Sequence, residues 1–77
     1  MDRAELLKLI HQAKEDKVTK FDLSNKGLIM LPPEIGQLTN LKDLDLSRNR
    51  LTALPSEIGQ LTNLTRLDLN RNWLTVL

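Results

Sequence analysis

The chain repeats one unit of 23 residues with few changes, and this repeat constrains its fold more than any other feature. The segment "LPPEIGQLTNLKDLDLSRNRLTA", from Leu31, is followed directly by "LPSEIGQLTNLTRLDLNRNWLTV", from Leu54. When the copies are counted instead from the residues just before each leucine-rich strand pattern, a more divergent first copy begins at Val18, and the next two begin at Leu41 and Leu64. Because a fixed period of this length is typical of solenoids, we interpret residues 18–77 as stacked rungs. The rungs are 18–40, 41–63 and a partial third, 64–77.

Each rung contains a short alternation of leucine and polar residues. In "LKDLDLS", Leu44 and Leu46 alternate with charged residues, a period of two that is typical of a strand with one buried face. One rung cannot bury that face alone, so the rungs are expected to stack as parallel strands around one aliphatic core. Pro32 and Pro55 turn the chain away from the strands and favour short α or 3₁₀ turns on the outer face. The predicted fold class is therefore α/β, a short solenoid of about three parallel strands.

Residues 1–17 predict a helix that caps the first rung. Asp2 is a suitable N-cap, and apolar residues recur at helical spacing behind it. Charged residues interrupt this stretch too often for a signal peptide or a membrane span. The chain has no cysteine and a net charge of +1, so we expect a cytoplasmic protein that binds neither membranes nor nucleic acid. The apolar positions of the predicted helix are Leu6, Leu9, Ile10 and Ala13.

The strings "LKDLDLSRNRL" and "LTRLDLNRNWL" match the pattern LxxLxLxxNxL, and "LPxxIGxLxNL" matches the rest of a 23-residue repeat type. The chain therefore resembles the leucine-rich repeat family, and it is similar to bacterial members and to the repeat domains of Roco-type GTPases. The resemblance implies that Asn49 and Asn72 are structural, with buried side chains that bond the loop backbone of their own and the next rung. Lys26 stands at this position in the first rung, so we expect a looser first turn without this contact.

The resemblance also implies that the solvent-facing side of the sheet, called the concave face below, is the binding surface. Several differences between the two full repeats fall on this face, either because it binds a partner or because surface positions drift. Asp22, Asp45 and Asp68 form a row at rung spacing, which we interpret as structural or solvated, compensated by the basic residues Lys20, Arg48, Arg66 and Arg71. A calcium site is disfavoured because its ligands must converge on one point. The candidate partner-binding residues are Asp43, Asp45, Arg48, Arg50, Arg66, Asp68, Asn70, Arg71 and Trp73.

Trp73 is the only tryptophan of the chain. Tryptophan and arginine are enriched in interface hot spots, so Trp73 is a candidate for partner contact together with Arg48, Arg50 and Arg71. Alternatively, its ring folds over the end of the solenoid and shields Leu74.

The last rung has no predicted cap, so its strand edge and apolar flank are expected to be open. Such an edge is a template for another strand, and two-fold pairing would give a homodimer with one continuous sheet. Two alternatives stay open: a fragment or designed half-protein cut from a longer array, and a swapped arrangement. The candidate self-association residues are Leu64, Leu67, Leu69, Leu74, Val76 and Leu77.

The residue pattern favours a non-catalytic protein. His11 is the single histidine and has no nucleophile beside it in the predicted helix, and no GxxxxGK loop is present. We predict no cofactor, no metal and no enzymatic activity. The predicted function is a protein-interaction module that binds a protein partner or itself. The alternatives are a regulatory repeat fragment of a larger signalling protein, such as a Roco GTPase, and an engineered repeat building block.

Overall fold

The computed structural model describes residues 1–75, so the two predicted edge residues Val76 and Leu77 lie outside the described residues. An N-terminal helix is followed by three strands that alternate with two short 3₁₀ helices, in agreement with the predicted fold class. The elements are α1 (Arg3–Glu15), β1 (Lys20–Asp22), the first 3₁₀ helix (Pro33–Gln37), β2 (Asp43–Asp45), the second 3₁₀ helix (Ser56–Gln60) and β3 (Arg66–Asp68).

The strands form one parallel sheet in the order β1-β2-β3. The register follows the repeat, because Phe21 lies beside Leu44 and Leu44 lies beside Leu67. Equivalent positions of successive rungs therefore stack on one another across the sheet. The rung boundaries themselves stay an interpretation of the sequence.

One hydrophobic cluster joins α1, the sheet and the first 3₁₀ helix, with Ile10, Leu44 and Ile35 all buried in it. Burial decreases toward the last rung. Ile58 and Leu67 are only partly buried, although Ile35 and Leu44 at the equivalent positions of the preceding rung are fully buried. Within the described residues, the core is therefore covered by α1 at one end and only partly covered at the last rung.

Helix α1 begins as predicted, since the Asp2 side chain accepts a hydrogen bond from the Glu5 backbone N–H at 2.8 Å. Leu6, Ile10 and Ala13 are buried against the first rung, whereas the prediction for Leu9 is wrong, because its side chain is 39% exposed. At 3.6 residues per turn, Leu9 lies roughly 60° or more from the centre of the buried stripe.

Gly36 and Gly59 occupy equivalent positions in the two 3₁₀ helices but differ in their surroundings. A Cβ atom on Gly36 would lie 2.9 Å from the Glu57 backbone oxygen and 2.5 Å from the Gln60 Oε1 atom. On Gly59, it would have no atom of the described residues within 4 Å. Glycine is thus required for close packing only where another rung follows.

We expect Gly36→Ala to lower the free energy of unfolding by about 1–3 kcal/mol, because the backbone of the second 3₁₀ helix must shift away. Gly59→Ala is the matched control and should change it by less than about 0.5 kcal/mol, or stabilise slightly by restricting the unfolded chain. Urea unfolding followed by far-UV circular dichroism measures both. Equal effects at the two positions would show that the rungs do not pack this closely.

Candidate functional site

The side chain of Asn49 joins the loops of the first two rungs. It is buried, at 4% exposure. Its Oδ1 accepts hydrogen bonds from the backbone N–H groups of Lys26 and Leu28, both at 3.0 Å. Its Nδ2 donates to the carbonyl oxygens of Leu23 and Leu46, both at 2.9 Å. Asn49 therefore satisfies backbone groups that would otherwise be buried without partners.

These bonds correct two expectations. The asparagine was expected to bond its own and the next rung, but Asn49 bonds its own and the preceding rung. The expected lack of this contact at Lys26 is also wrong, since its backbone N–H donates to Asn49. The first turn needs no asparagine of its own because the second rung supplies it.

Asn72 repeats the arrangement one rung further on. Its Nδ2 donates to the carbonyl oxygens of Leu46 at 2.8 Å and Leu69 at 3.1 Å, and its Oδ1 accepts from the Leu51 N–H at 3.1 Å. Again the bonds run to its own and the preceding rung. Asn72 is half-buried rather than buried, because no described rung covers its outer side.

The aspartate row caps the turns that follow the strands. Asp22 accepts a hydrogen bond from the N–H of Ser24 at 2.9 Å, two residues further along the chain. Bonds from the Ser24 side chain and backbone lower the pKa of Asp22 below its ordinary value. Asp45 and Asp68 accept equivalent backbone bonds, at 2.9 and 3.0 Å. The carboxylates thus have a local structural role in each rung.

Ion pairs neutralise the negative charge of the aspartate row only in part. Arg66 Nη1 lies 3.1 Å from Asp43 Oδ1, and Arg66 Nη2 lies 3.4 Å from Asp68 Oδ2. The hydrogen bond and the charge of Asp43 raise the pKa of Arg66 above its ordinary value. The expected pairing of the other basic residues is wrong: Lys20, Arg48 and Arg71 form no ion pair within residues 1–75.

Trp73 and Arg50 lie against each other on adjacent rungs. The Arg50 guanidinium carbon is 5.4 Å from the centroid of the Trp73 ring, within the range of a cation–π contact. The backbone N–H of Trp73 donates to the Leu51 carbonyl at 3.1 Å, and the residue remains 60% exposed. The sequence placed both residues on one face but did not predict their contact.

Arg48 and Arg71 are exposed in the turns that follow β2 and β3, and both have left-handed backbone conformations, with φ of 60° and 61°. Asn25 holds the equivalent place in the first rung with φ of 53°. The Arg48 N–H donates to the carbonyl of Asn70 at 2.8 Å, so this candidate residue also helps to fix the turn. All three turns therefore share one left-handed position, whereas Gly27, with φ of 66°, gives the first turn a second one that the later turns lack at Arg50 and Trp73.

The predicted self-association edge carries a strand and partly buried leucines. In the described chain, β3 pairs with β2 only. Leu54 and Ile58 extend the same partly buried surface onto the outer side, which the sequence reasoning missed because it considered the last rung alone. Their equivalents Leu31 and Ile35 are buried in the preceding rung, and the 23-residue spacing that relates the two pairs is the sequence signal that could have identified them. The described members of the predicted edge are Leu64, Leu67, Leu69 and Leu74, all partly buried.

Within residues 1–75 no three histidine, cysteine or carboxylate side chains gather as a metal site would require. His11 lies on the exposed face of α1, 3.9 Å from Glu15. No helix of the described chain has the length and apolar character needed to cross a membrane.

The fold and the stacked asparagines define the chain as a parallel-stranded repeat solenoid. The family model for the leucine rich repeat matches residues 16–74, and the chain belongs to the leucine-rich repeat family. This membership indicates a protein-interaction module.

Among solved structures, the chain is similar to a leucine-rich repeat protein of Leptospira interrogans, with 37% sequence identity and a TM-score of 0.51. The match covers 80% of this chain but only 22% of that one. None of the curated proteins gave a match. The likeness to Roco-type GTPases stays a prediction.

Proposed function

We propose that the chain is a non-catalytic protein-interaction module that contacts a protein partner through its concave face and associates with a second copy of itself through the β3 edge. The observation that carries the self-association is the asymmetry of burial between rungs. Leu44 and Leu46 are fully buried, whereas Leu67 and Leu69 at the equivalent positions are only partly buried. The leucines that are buried in the middle rung therefore remain partly exposed to solvent in the last described rung.

The backbone of β3 supports the same proposal. The Arg66 N–H and the Asp68 carbonyl both bond toward β2, at 3.0 and 2.9 Å. Because successive residues of a strand face opposite sides, the backbone groups of Leu67 face away from β2. Two such edges related by a two-fold axis can pair as antiparallel strands, which would join two three-stranded sheets and cover both sets of leucines.

Light scattering over a range of protein concentrations tests the self-association. We expect a mass that rises toward that of a dimer, and a shift toward the monomer in Leu69→Lys and Leu74→Lys, since each places a charge in the buried interface. Ile29→Lys is the matched control, because Ile29 is 66% exposed on the first rung and should leave the mass unchanged. Circular dichroism of each variant separates lost association from lost folding. A wild-type protein that stays monomeric at all concentrations would disprove self-association.

A second candidate is a repeat segment that acts within a longer protein, where a further rung would cover the same leucines. The observation that favours it is that the chain spans only 22% of the Leptospira protein that it resembles. In that case its role is regulatory, by analogy with Roco-type GTPases. A monomeric chain with a well-formed fold would favour this candidate over the homodimer and over an engineered building block that assembles through its edge.

A further inference from the structure

The turns that follow the three strands carry a concentrated positive charge. These turns, residues 24–28, 47–51 and 70–74, contain four basic residues and no aspartate or glutamate. We call this group the basic row. Its members are Lys26, Arg48, Arg50 and Arg71.

Within the described chain, no carboxylate lies within ion-pairing distance of the basic row, since the basic side chains that lie within 4.0 Å of a carboxylate there are Arg66 and His11. The backbone beneath the row is nevertheless well fixed. Arg48 N–H donates to the Asn70 carbonyl and Arg50 N–H donates to the Leu28 carbonyl, both at 2.8 Å. The row therefore presents positive charge that is not engaged in ion pairs, from an ordered backbone, which reduces the entropy lost on binding an anionic group.

Trp73 adds an aromatic surface at one end of this row. Its side chain is 60% exposed and contacts the Arg50 guanidinium at 5.4 Å. Arginine binds carboxylates through two parallel N–H···O bonds, and tryptophan and arginine together are the residues most enriched in protein-binding hot spots. The combination fits a ligand that carries carboxylates beside an apolar group.

We propose that the basic row, with Trp73, binds a short acidic segment of a protein partner; this inference rests on the proposed role of the concave face. Adjacent strands are about 4.8 Å apart, so three turns extend over about 10 Å, the length of roughly three extended residues. The aspartate row, Asp22, Asp45 and Asp68, lies next to the basic row along each rung. Its negative charge confines an anionic ligand to the turns and disfavours a wide polyanion such as nucleic acid lying over the sheet.

Titration with a hexaglutamate peptide at low ionic strength tests this inference, with fluorescence of Trp73, the only tryptophan, as the readout. We expect a saturable change that is weakened by added salt. The variant Arg48→Asn with Arg71→Asn should lower the affinity by about tenfold or more, since it removes two charge-assisted contacts. Asparagine is the native residue at the equivalent position 25, where it holds the same left-handed conformation, so the turns should keep their shape.

The matched control is Lys8→Gln with Lys14→Gln, which removes the same charge from exposed positions of α1 and should change the affinity by less than about twofold. A hexathymidylate oligonucleotide serves as a second ligand. Absence of saturable peptide binding would overturn the inference, as would equal loss in the control variant or tighter binding of the oligonucleotide. The masses of the arginine variants, measured by light scattering, report on the β3 edge independently, so loss of peptide binding is distinguishable from loss of self-association.

Discussion

Replacing Asn49 with alanine is expected to abolish cooperative folding of the chain. The substitution leaves the N–H groups of Lys26 and Leu28 and the carbonyl of Leu23 without their side-chain partner. Each unsatisfied buried group costs about 1–3 kcal/mol, so the total is comparable with the few kcal/mol that stabilise a domain of this size. Far-UV circular dichroism during urea unfolding measures this effect, and we expect no native baseline for the variant.

Asn72→Ala is the matched control because it removes the same side chain one rung further on. Asn72 is half-buried, so water can reach the backbone groups that lose their partner. We expect a loss of about 1 kcal/mol with the cooperative transition retained. Equal destabilisation by the two substitutions would mean that the last rung is as deeply buried as the middle one.

Leu44→Ala is expected to destabilise the protein by about 2–5 kcal/mol, the second largest effect. Leu44 is fully buried at the centre of the sheet, between Phe21 and Leu67, so the lost methyl groups leave a cavity that neighbouring rungs cannot fill. Thermal and urea unfolding should both move to milder conditions. A loss below about 1 kcal/mol would contradict the close packing of the middle rung.

Leu67→Ala provides the control and also reports on self-association. In the monomer, Leu67 is only partly buried and its truncation should cost about 1 kcal/mol or less. If two copies pair through β3, the loss in free energy of unfolding caused by Leu67→Ala should grow with protein concentration, because the interface buries this side chain further. A destabilisation by Leu67→Ala that does not depend on protein concentration would count against pairing at this edge.

The repeat in the sequence determined most of the architecture. Leucines at period two placed Leu44 and Leu46 in a buried strand face, and the 23-residue spacing set the register in which Leu44 lies beside Leu67. Asp2 marked the start of α1. These features could be predicted because each depends on local spacing or on a comparison between rungs, both of which are visible in one sequence.

The site was predicted less completely, because the sequence identifies exposed positions but not their contacts. It grouped Arg50 with Trp73 and Asp43 with Arg66, yet the structure alone shows that these pairs touch. It assigned ion pairs to Arg48 that do not form within the described residues. Side-chain partners on a surface depend on rotamers and competing backbone donors, which a repeat pattern does not encode.

The sequence by itself determined what every rung has in common, whereas the tertiary structure decided how the rungs differ. Asn49 and Asn72 are the same residue in the same motif, but within residues 1–75 only Asn49 is covered by a rung on both sides. Gly36 and Gly59 are likewise the same residue at equivalent positions, and among the described residues only Gly36 meets the backbone of a following rung. The physical reason is that a solenoid rung buries its surface against its neighbours, so the environment of each residue depends on its position in the stack as well as on its identity.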